Sequence, residues 1–162
     1  MTRFLIPAAF AGLCFVSASL VPAAAQDAAQ PTLEQSELII ETGEATHVFT
    51  VELANDREEI ATGMMFRTEM APDAGMLFDL GDPRPVTFYM KNCIISLDML
   101  FIDSEGEILV IAENAEPGSL RLVDPGVAVK GVLEINGGLS GQLGIVPGDH
   151  ILHPVFASDG AE

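Results

Sequence analysis

Cysteine is scarce in this chain of 162 residues, and its scarcity excludes one class of protein. Only two cysteines occur, and Cys14 lies in an apolar N-terminal run that we expect to be removed. The remaining residue, Cys93, has no partner for an intrachain disulfide, so the domain is not a disulfide-stabilised scaffold. A lone thiol of this kind is typical of a small buried hydrophobic residue.

Basic residues are also few, seven against 24 acidic residues, which gives a formal net charge of −17. Such a surface repels the phosphate backbone of nucleic acids and the head groups of anionic lipids. We therefore expect no nucleic-acid partner and no stable membrane insertion once the N-terminal run is removed. The expected partner is a small molecule or an envelope protein.

Motifs of the common catalytic and metal-binding classes are missing from the sequence. There is no Walker motif, no nucleophile elbow around a serine and no EF-hand-like spacing of acidic residues. The sequence therefore favours a protein that is not an enzyme, and we expect no cofactor and no metal site.

The N-terminal segment has the parts of a secretory signal peptide. A basic start is followed by the apolar run "FLIPAAFAGLCFVSASLV", and "PAAAQD" supplies small residues for cleavage before Gln26. We predict a signal peptide over residues 1–25 and export to the periplasm or the extracellular space. A retained signal anchor is the alternative, because the apolar run approaches the length of about 20 residues that spans a bilayer.

The rest of the chain divides into a leader, one domain and a tail. Residues 26–36 are polar and contain a proline, which predicts a flexible leader. The domain covers residues 37–157, which is long enough for a hydrophobic core. Residues 158–162 are expected to form a flexible C-terminal tail.

Short apolar runs typical of β-strands recur through the domain. The predicted strands are "ELIIET", "HVFTVELA", "GMLFDL", "VTFYM", "LDMLFID", "GEILVIAEN", "KGVLEIN" and "HILHPVF". The prolines of "GDPRP" are expected to end the third strand. Short helices are predicted near residues 56–62 and 139–143. The expected fold is mainly β, of a β-rich α+β class: a compact, barrel-like mixed sheet of about seven or eight short strands with one or two short helices.

Five motifs follow one another along the domain. They are "GMMFR" (63–67), "GMLFDL" (75–80), "FYMKNCIISLDMLFID" (88–103), "VLEINGG" (132–138) and "GIVPGD" (144–149). Over about residues 37–156 this set resembles the secreted DUF192 family, a domain of unknown function. The resemblance implies a compact β-rich domain and no agreed activity. Gly63, Arg67, Gly75 and Asp98 lie in these motifs, and we assign them a structural role.

The chain departs from the pattern of this family at instructive positions. The family usually carries tryptophan where this chain has Tyr89 and threonine where it has Cys93, whereas Lys91, Asn92 and Asp98 match. A family that carries threonine at position 93 does not depend on a thiol. The resemblance therefore argues against Cys93 as a catalytic nucleophile.

Asp98 lies in a strand whose two faces are both apolar, so we expect the strand to be covered on both sides. An unpaired charge in that position is costly, and Asp98 therefore needs donors. The expected donors are Lys91, Arg67 and the backbone N–H groups of the "NCII" turn. In the structural interpretation, Asp98 holds this turn in place.

A functional interpretation of the same residues remains open. Asp98 is then a general base, Lys91 an anion clamp and Glu134 a second carboxylate, as in a hydrolase. A binding site without catalysis is the other possibility. The candidate ligand-binding residues are Tyr89, Lys91, Asn92, Glu134 and Asn136.

Our leading hypothesis is an exported, non-enzymatic envelope module that binds a ligand or a partner. The hydrolase that uses Asp98 with Lys91 or Glu134 is the alternative. A periplasmic copper-binding protein is a lesser alternative, because thioether and imidazole groups suit copper and the chain keeps several methionines and three histidines. The methionines stand singly among apolar residues, however, as core residues do.

Overall fold

The computed structural model describes residues 28–157. The strands are β1 (Gln35–Glu41), β2 (Thr46–Ala54), β3 (Ala74–Pro85), β4 (Leu97–Ile102), β5 (Ile108–Ala115), β6 (Ala128–Asn136) and β7 (His150–Leu152). The helices are α1 (Arg57–Thr62) and α2 (Leu139–Leu143), and a 3₁₀ turn covers Pro154–Phe156. This mainly β composition confirms the predicted fold class. The predicted signal peptide (1–25) and tail (158–162) lie outside the described residues.

The seven strands form one sheet in the order β5-β4-β6-β3-β2-β1-β7. Neighbouring strands are antiparallel except β2 and β3, which run parallel because the segment containing α1 carries the chain back between them. The two edges of the sheet meet where a bridge joins Glu107 to His150. The N–H of Ile151 also donates to the carbonyl of Gly106 at 2.8 Å. The sheet therefore curls into a barrel-like shape.

The side enclosed by the curl buries a hydrophobic cluster to which every strand contributes, here called the inner cluster. Its members include Leu38, Ile40, Phe49, Val51, Leu77, Leu100, Ile102, Ile108, Leu133, Ile135 and Ile151. Leu139 and Leu143 of α2 pack against this cluster. Helix α2 therefore lies against the interior of the curled sheet.

The opposite side of the sheet buries a second cluster, here called the outer cluster. Its members include Met64, Met76, Phe78, Met90, Cys93, Leu97, Met99, Phe101, Val129 and Val132. Side chains of α1 and of the irregular segments around residues 65–70, 86–95 and 123 pack against it. All six residues of β4 are buried, which confirms that this strand is covered on both faces.

Helix α1 begins and ends at residues suited to those positions. Asp56 is the N-cap and accepts the N–H groups of Glu58 and Glu59 at 2.8 Å each. The carboxylate of Glu59 accepts the backbone N–H of Asp56, which completes a capping box. Gly63 ends the helix with a φ of 48°, and a Cβ atom there would lie 3.1 Å from the ring of Phe78. The structural role predicted for Gly63 thus has a steric basis.

Strand β3 is longer than the sequence predicts. The prolines of "GDPRP" were expected to end the strand, but β3 continues to Pro85 after a register shift between Asp79 and Arg84. The extension pairs only with β6, because the pairing with β2 stops at Phe78. A bulge and an open edge are the places where a strand accepts proline, since no ladder hydrogen bond is lost there.

The predicted strand "VTFYM" is wrong for a related reason. It forms one isolated bridge between Phe88 and Val123, and no regular strand. Its neighbour is an irregular segment in which the N–H of Gly118 donates to the carbonyl of Met90 at 3.0 Å. Met90 belongs to the outer cluster and Phe88 packs against it, so the segment lies over the face of the sheet instead of extending it.

The predicted leader (26–36) contributes its last two residues to β1, which begins at Gln35. Before that strand, Nε2 of Gln30 donates to the carbonyl of Gly63 at 3.0 Å. The N–H of Leu33 donates to Oε2 of Glu52 at 2.7 Å. Residues 30–33 therefore contact the domain at two points. Among the described residues, no helix has the length and apolar character that a membrane span requires.

Gly75 of β3 leaves no room for a side chain. A Cβ atom at this position would lie 2.9 Å from the carbonyl oxygen of Glu134 on β6. We expect Gly75→Ala to lower the free energy of unfolding by about 1–3 kcal/mol, because two paired strands must move apart. Urea unfolding measures the loss. Gly43→Ala is the matched control, since nothing lies within 4 Å of its Cβ position, and equal losses in both variants would contradict the steric argument.

Candidate functional site

A cavity of about 460 Å³ lies on the outer side of the sheet, beside the end of α1. Its walls come from α1 and the residues that follow it, from β3, and from the segment after β3. The lining residues include Ala61, Met65, Phe78, Arg84, Phe88, Tyr89, Cys93 and Glu134. The volume falls in the range of about 300–1,000 Å³ that is typical of pockets for small organic molecules.

Glu134 is the buried polar group of this cavity. It lies on β6 opposite Met76 of β3 and Met99 of β4, so its immediate cross-strand neighbours are apolar. The residue is only 4% exposed, and its Oε2 atom has no hydrogen-bond partner among the described residues. Buried polar atoms in folded proteins nearly always have a partner, so this unpaired oxygen is an exception among buried polar groups.

Burial also changes the ionisation of Glu134. It raises the pKa of this carboxyl from its ordinary value of 4.5 to about 8, because the charged form loses its hydration. The carboxyl therefore holds its proton at neutral pH. A protonated carboxyl can donate one hydrogen bond and accept others.

Cys93 lines the same cavity and is buried. Burial, with a smaller contribution from the charge of Glu134, raises the pKa of its thiol from 9.0 to about 12. Thiolates, not thiols, act as nucleophiles and metal ligands. Cys93 is therefore a wall residue that remains unreactive at neutral pH.

Aromatic rings stiffen one wall of the cavity. Phe88 packs edge-to-face against Phe78, with ring centroids 5.3 Å apart. The Phe88 ring also makes an edge-to-face contact with Phe101 of β4, with a centroid distance of 6.1 Å. Tyr89, by contrast, is 41% exposed and lies at the rim. The apolar wall is thus fixed by packing, as preformed ligand sites are.

Asp98 does not line the cavity, and its donors are not the expected ones. Its Oδ1 atom accepts the N–H groups of Asn114 at 2.7 Å and Gly138 at 2.8 Å. Its Oδ2 atom accepts the N–H of Ser140 at 2.9 Å and also the hydroxyl of Ser140. Lys91 and Arg67 are not among these donors. Asp98 therefore ties β4 to the start of α2 and to β5.

The sheet separates Asp98 from Glu134. Directly paired residues of neighbouring strands point to the same face, and Asp98 pairs with Ile135, a member of the inner cluster. Glu134 pairs with Met99, a member of the outer cluster. The two carboxyl groups therefore lie on opposite faces of the sheet. They cannot act on one substrate as the carboxylate pair of a hydrolase, so this form of the alternative is excluded by the strand register.

The other candidate ligand-binding residues lie outside the cavity. Lys91 and Asn92 are exposed and do not line the cavity. Asn92 has a φ of 60°, and its carbonyl accepts the N–H of Phe66 at 2.8 Å, which ties two segments of the outer side together. Nδ2 of Asn136 donates to the carbonyls of Met70 at 3.2 Å and Ala71 at 3.0 Å. Of the five candidates, the structure places Tyr89 and Glu134 together in the cavity.

Arg67 forms a bidentate ion pair with Glu52, a residue that the sequence did not single out. Nη1 and Nη2 of Arg67 each donate to one carboxylate oxygen of Glu52 at 2.8 Å. The same carboxylate accepts the N–H of Leu33, as described above. Arg67 thus joins the segment after α1 to β2, which is a structural contact.

The histidines lie apart from the cavity. His153 has a hydrogen bond of 2.8 Å between Nε2 and Oγ of Ser36, and its Nδ1 accepts the N–H of Val155 at 3.2 Å. Burial lowers the pKa of His153. In the part of the chain that the structure describes, no group of three or more His, Cys, Asp and Glu side chains is placed to hold a metal ion.

The profile of the DUF192 family, described as Uncharacterized ACR, matches residues 38–153. The chain belongs to the DUF192 family. This confirms the resemblance carried by the five motifs. Among curated proteins, no match to the chain is found.

Two solved structures are similar to this DUF192 protein. A protein from Sinorhizobium meliloti 1021, described as a candidate transcription regulator, is 44% identical, with 76% of this chain and 96% of that chain covered and a TM-score of 0.74. A protein of unknown function from Novosphingobium aromaticivorans DSM 12444 is 38% identical, with 80% and 94% covered and a TM-score of 0.74.

The residues that the sequence did not indicate are those of the apolar walls of the cavity. Ala61, Met65 and Phe88 come from separate segments and carry no chemical signal. Glu134 did carry one, because it is a carboxyl in the middle of the apolar run "GVLEIN". A lone acid in such a run is the pattern that indicates a buried carboxyl.

Proposed function

We propose that this DUF192 protein is an exported, non-enzymatic binding module whose cavity beside α1 holds a small molecule. The observation that carries the proposal is the buried Oε2 atom of Glu134, which has no partner in the described structure and belongs to the cavity wall. A buried polar group without a hydrogen bond costs free energy. A bound molecule with a matching polar group removes that cost.

The composition of the cavity supports a ligand that is mainly apolar. Pockets for small molecules combine apolar and aromatic walls with a few polar groups that orient the ligand. Here Met65, Phe78 and Phe88 supply the apolar surface, while Glu134 is the buried polar group and Tyr89 a polar group at the rim. A molecule with an apolar body and one polar group fits this distribution.

The protonation of the buried groups supports binding over hydrolysis. At neutral pH both Glu134 and Cys93 hold their protons, since burial raises the pKa of each. A general base or a nucleophile acts in its deprotonated form. A protonated carboxyl instead orients a ligand by hydrogen bonding.

Export and the class of partner rest on the sequence. The signal-like residues 1–25 support export, and the formal charge of −17 disfavours nucleic acid. For this reason the description of the Sinorhizobium protein as a transcription regulator is not extended to this chain. A small molecule of the envelope is the proposed partner.

Filling the cavity tests the proposed function. Ala61 is exposed on α1 and lines the cavity, so Ala61→Trp is expected to block the cavity while the domain stays folded. We expect small aromatic compounds that bind the wild type, detected by ligand-observed NMR, to lose at least about tenfold in affinity for this variant. Ala45→Trp, in the exposed turn between β1 and β2, is the matched control and should bind as the wild type does. Binding that is equal in all three proteins, or absent from all three, would contradict the proposal.

A further inference from the structure

We infer that the cavity selects an uncharged ligand whose carbonyl oxygen, of the amide or ketone type, accepts a hydrogen bond from the carboxyl group of Glu134. This inference rests on the proposed binding function and specifies the ligand class. It depends on the surroundings of one atom, Oε2 of Glu134, and on the distance of the nearest basic side chain in the cavity lining.

Glu134 lies among apolar side chains. Its cross-strand neighbours are Met76 and Met99, and Oε2 meets no donor in the described residues. A carboxylate in such a place would be an uncompensated buried charge, whereas a protonated carboxyl is tolerated. The raised pKa of about 8 agrees with this geometry.

Arg84 is the basic residue among the lining side chains. Arg84 pairs with Val129 of β6, five residues before Glu134 on the same strand. At about 3.3 Å per residue, the two positions are separated by roughly 16 Å along the strand. Arg84 is exposed, so it belongs to the rim and does not neutralise Glu134. An anionic ligand group beside Glu134 would meet no cation.

A cationic ligand and a neutral ligand differ in the ionisation that they require of Glu134. A cationic group beside Glu134 requires the carboxyl to lose its proton first, which opposes binding at neutral pH. A neutral acceptor meets the carboxyl in the form that is already present and completes the missing hydrogen bond of its O–H group. A carbonyl group on an apolar body is therefore the best match to this cavity.

Four probes with the same ring and different polar groups test the inference. They are benzamide, benzylamine, benzoate and ethylbenzene, which present a neutral acceptor, a cation, an anion and no polar group. For the wild type near neutral pH, we expect benzamide to bind tightest, about fivefold to tenfold tighter than ethylbenzene, which is the ratio for one net hydrogen bond. Titrations followed by NMR chemical shifts measure the four affinities.

Two variants separate hydrogen bonding from shape. Glu134→Gln keeps a neutral donor of similar size, so benzamide should bind within about threefold of the wild type, whereas Glu134→Leu should lose about fivefold to tenfold. The benzamide affinity of the wild type should be constant from about pH 6 to about pH 8, which is the pKa of Glu134. Between about pH 8 and about pH 10 it should fall. The affinity of Glu134→Gln should not change over this range. Circular dichroism at each pH establishes that the proteins are folded.

Some outcomes contradict the inference but leave the proposed binding function intact. If benzylamine binds tightest, gains affinity as the pH rises toward 8 and loses it in Glu134→Gln, the cavity is a cation site. If benzoate binds tightest, or if all four probes bind equally, Glu134 does not select a carbonyl. If no probe binds, or if Ala61→Trp binds them as the wild type does, the proposed function fails together with the inference.

Discussion

Replacing Asp98 with asparagine is expected to lower the free energy of unfolding by about 3–5 kcal/mol. The carboxylate accepts three backbone N–H groups and one hydroxyl, and the residue is fully buried. An amide has one oxygen and one NH₂ group. Whichever way it turns, the NH₂ group faces either the N–H of Ser140 or the N–H groups of Asn114 and Gly138. At least one backbone donor is then left without an acceptor.

The loss is expected to be greatest at α2. Gly138 and Ser140 belong to the start of this helix, and its apolar residues pack against the inner cluster. Urea unfolding gives the free energy, and hydrogen exchange at the amide of Ser140 shows whether the start of α2 opens first. Asp82→Asn is the control, because Asp82 is exposed, and its effect should stay within about 0.5 kcal/mol. A loss below about 1 kcal/mol for Asp98→Asn would contradict the structural role, whereas the catalytic interpretation of Asp98 requires an intact fold.

The sequence was sufficient to predict features that depend on local pattern. Alternation of apolar and polar residues predicts β2, and the apolar character of both faces of "LDMLFID" predicts that β4 is covered on both sides. The position of helix α1 is likewise a local feature, since acidic residues in its first turn and Gly63 at its end mark the helix within one short segment. Such features follow from neighbouring residues alone, so no tertiary contact is needed to predict them.

Features that depend on strand register were not predictable in this way. Asp98 was expected to bind donors near it in sequence, but its donors lie 16 to 42 residues away. The separation of Asp98 from Glu134 follows from one register pair, Asp98 with Ile135. A shift by one residue would bring both carboxyls to the same face. Register is set by the assembled sheet, so the sequence left the hydrolase pairing open.

The cavity is a third kind of feature, because it is produced by a segment that does not form the predicted strand. Phe88 and Tyr89 were expected in a regular strand, whose edge would extend the sheet. In the structure they lie over the outer face, where Phe88 packs against Phe78 and forms a wall. The pattern of alternation in "VTFYM" is real, with Met90 buried and Tyr89 exposed, but it marks a segment that covers a face. Alternation therefore predicted which of these side chains are buried, but not where the segment lies relative to the sheet.

Removing the titration of Glu134 is expected to change how stability depends on pH. The pKa of this carboxyl is about 8 in the folded protein and 4.5 ordinarily, so the unfolded chain releases the proton at a lower pH. The contribution of the Glu134 carboxyl to the stability of the fold is fully present below about pH 4.5 and is lost as the pH rises through about 8. At about 1.36 kcal/mol for each pH unit between these values, the total loss is on the order of 5 kcal/mol. Glu134→Gln does not titrate and escapes this loss.

The measurement is the difference in free energy of unfolding between Glu134→Gln and the wild type, taken from urea unfolding at a series of pH values. The difference should be near zero below about pH 4.5, grow through neutral pH and reach a few kcal/mol in favour of the variant above about pH 8. Taking a difference removes the general repulsion among the other acidic residues, which both proteins share. Glu69→Gln is the control, since Glu69 is exposed and its difference from the wild type should stay within about 0.5 kcal/mol throughout. A difference for Glu134→Gln that does not vary with pH would show that the carboxyl is not held in its protonated form, and the hydrogen-bond donor on which the ligand inference depends would then be missing.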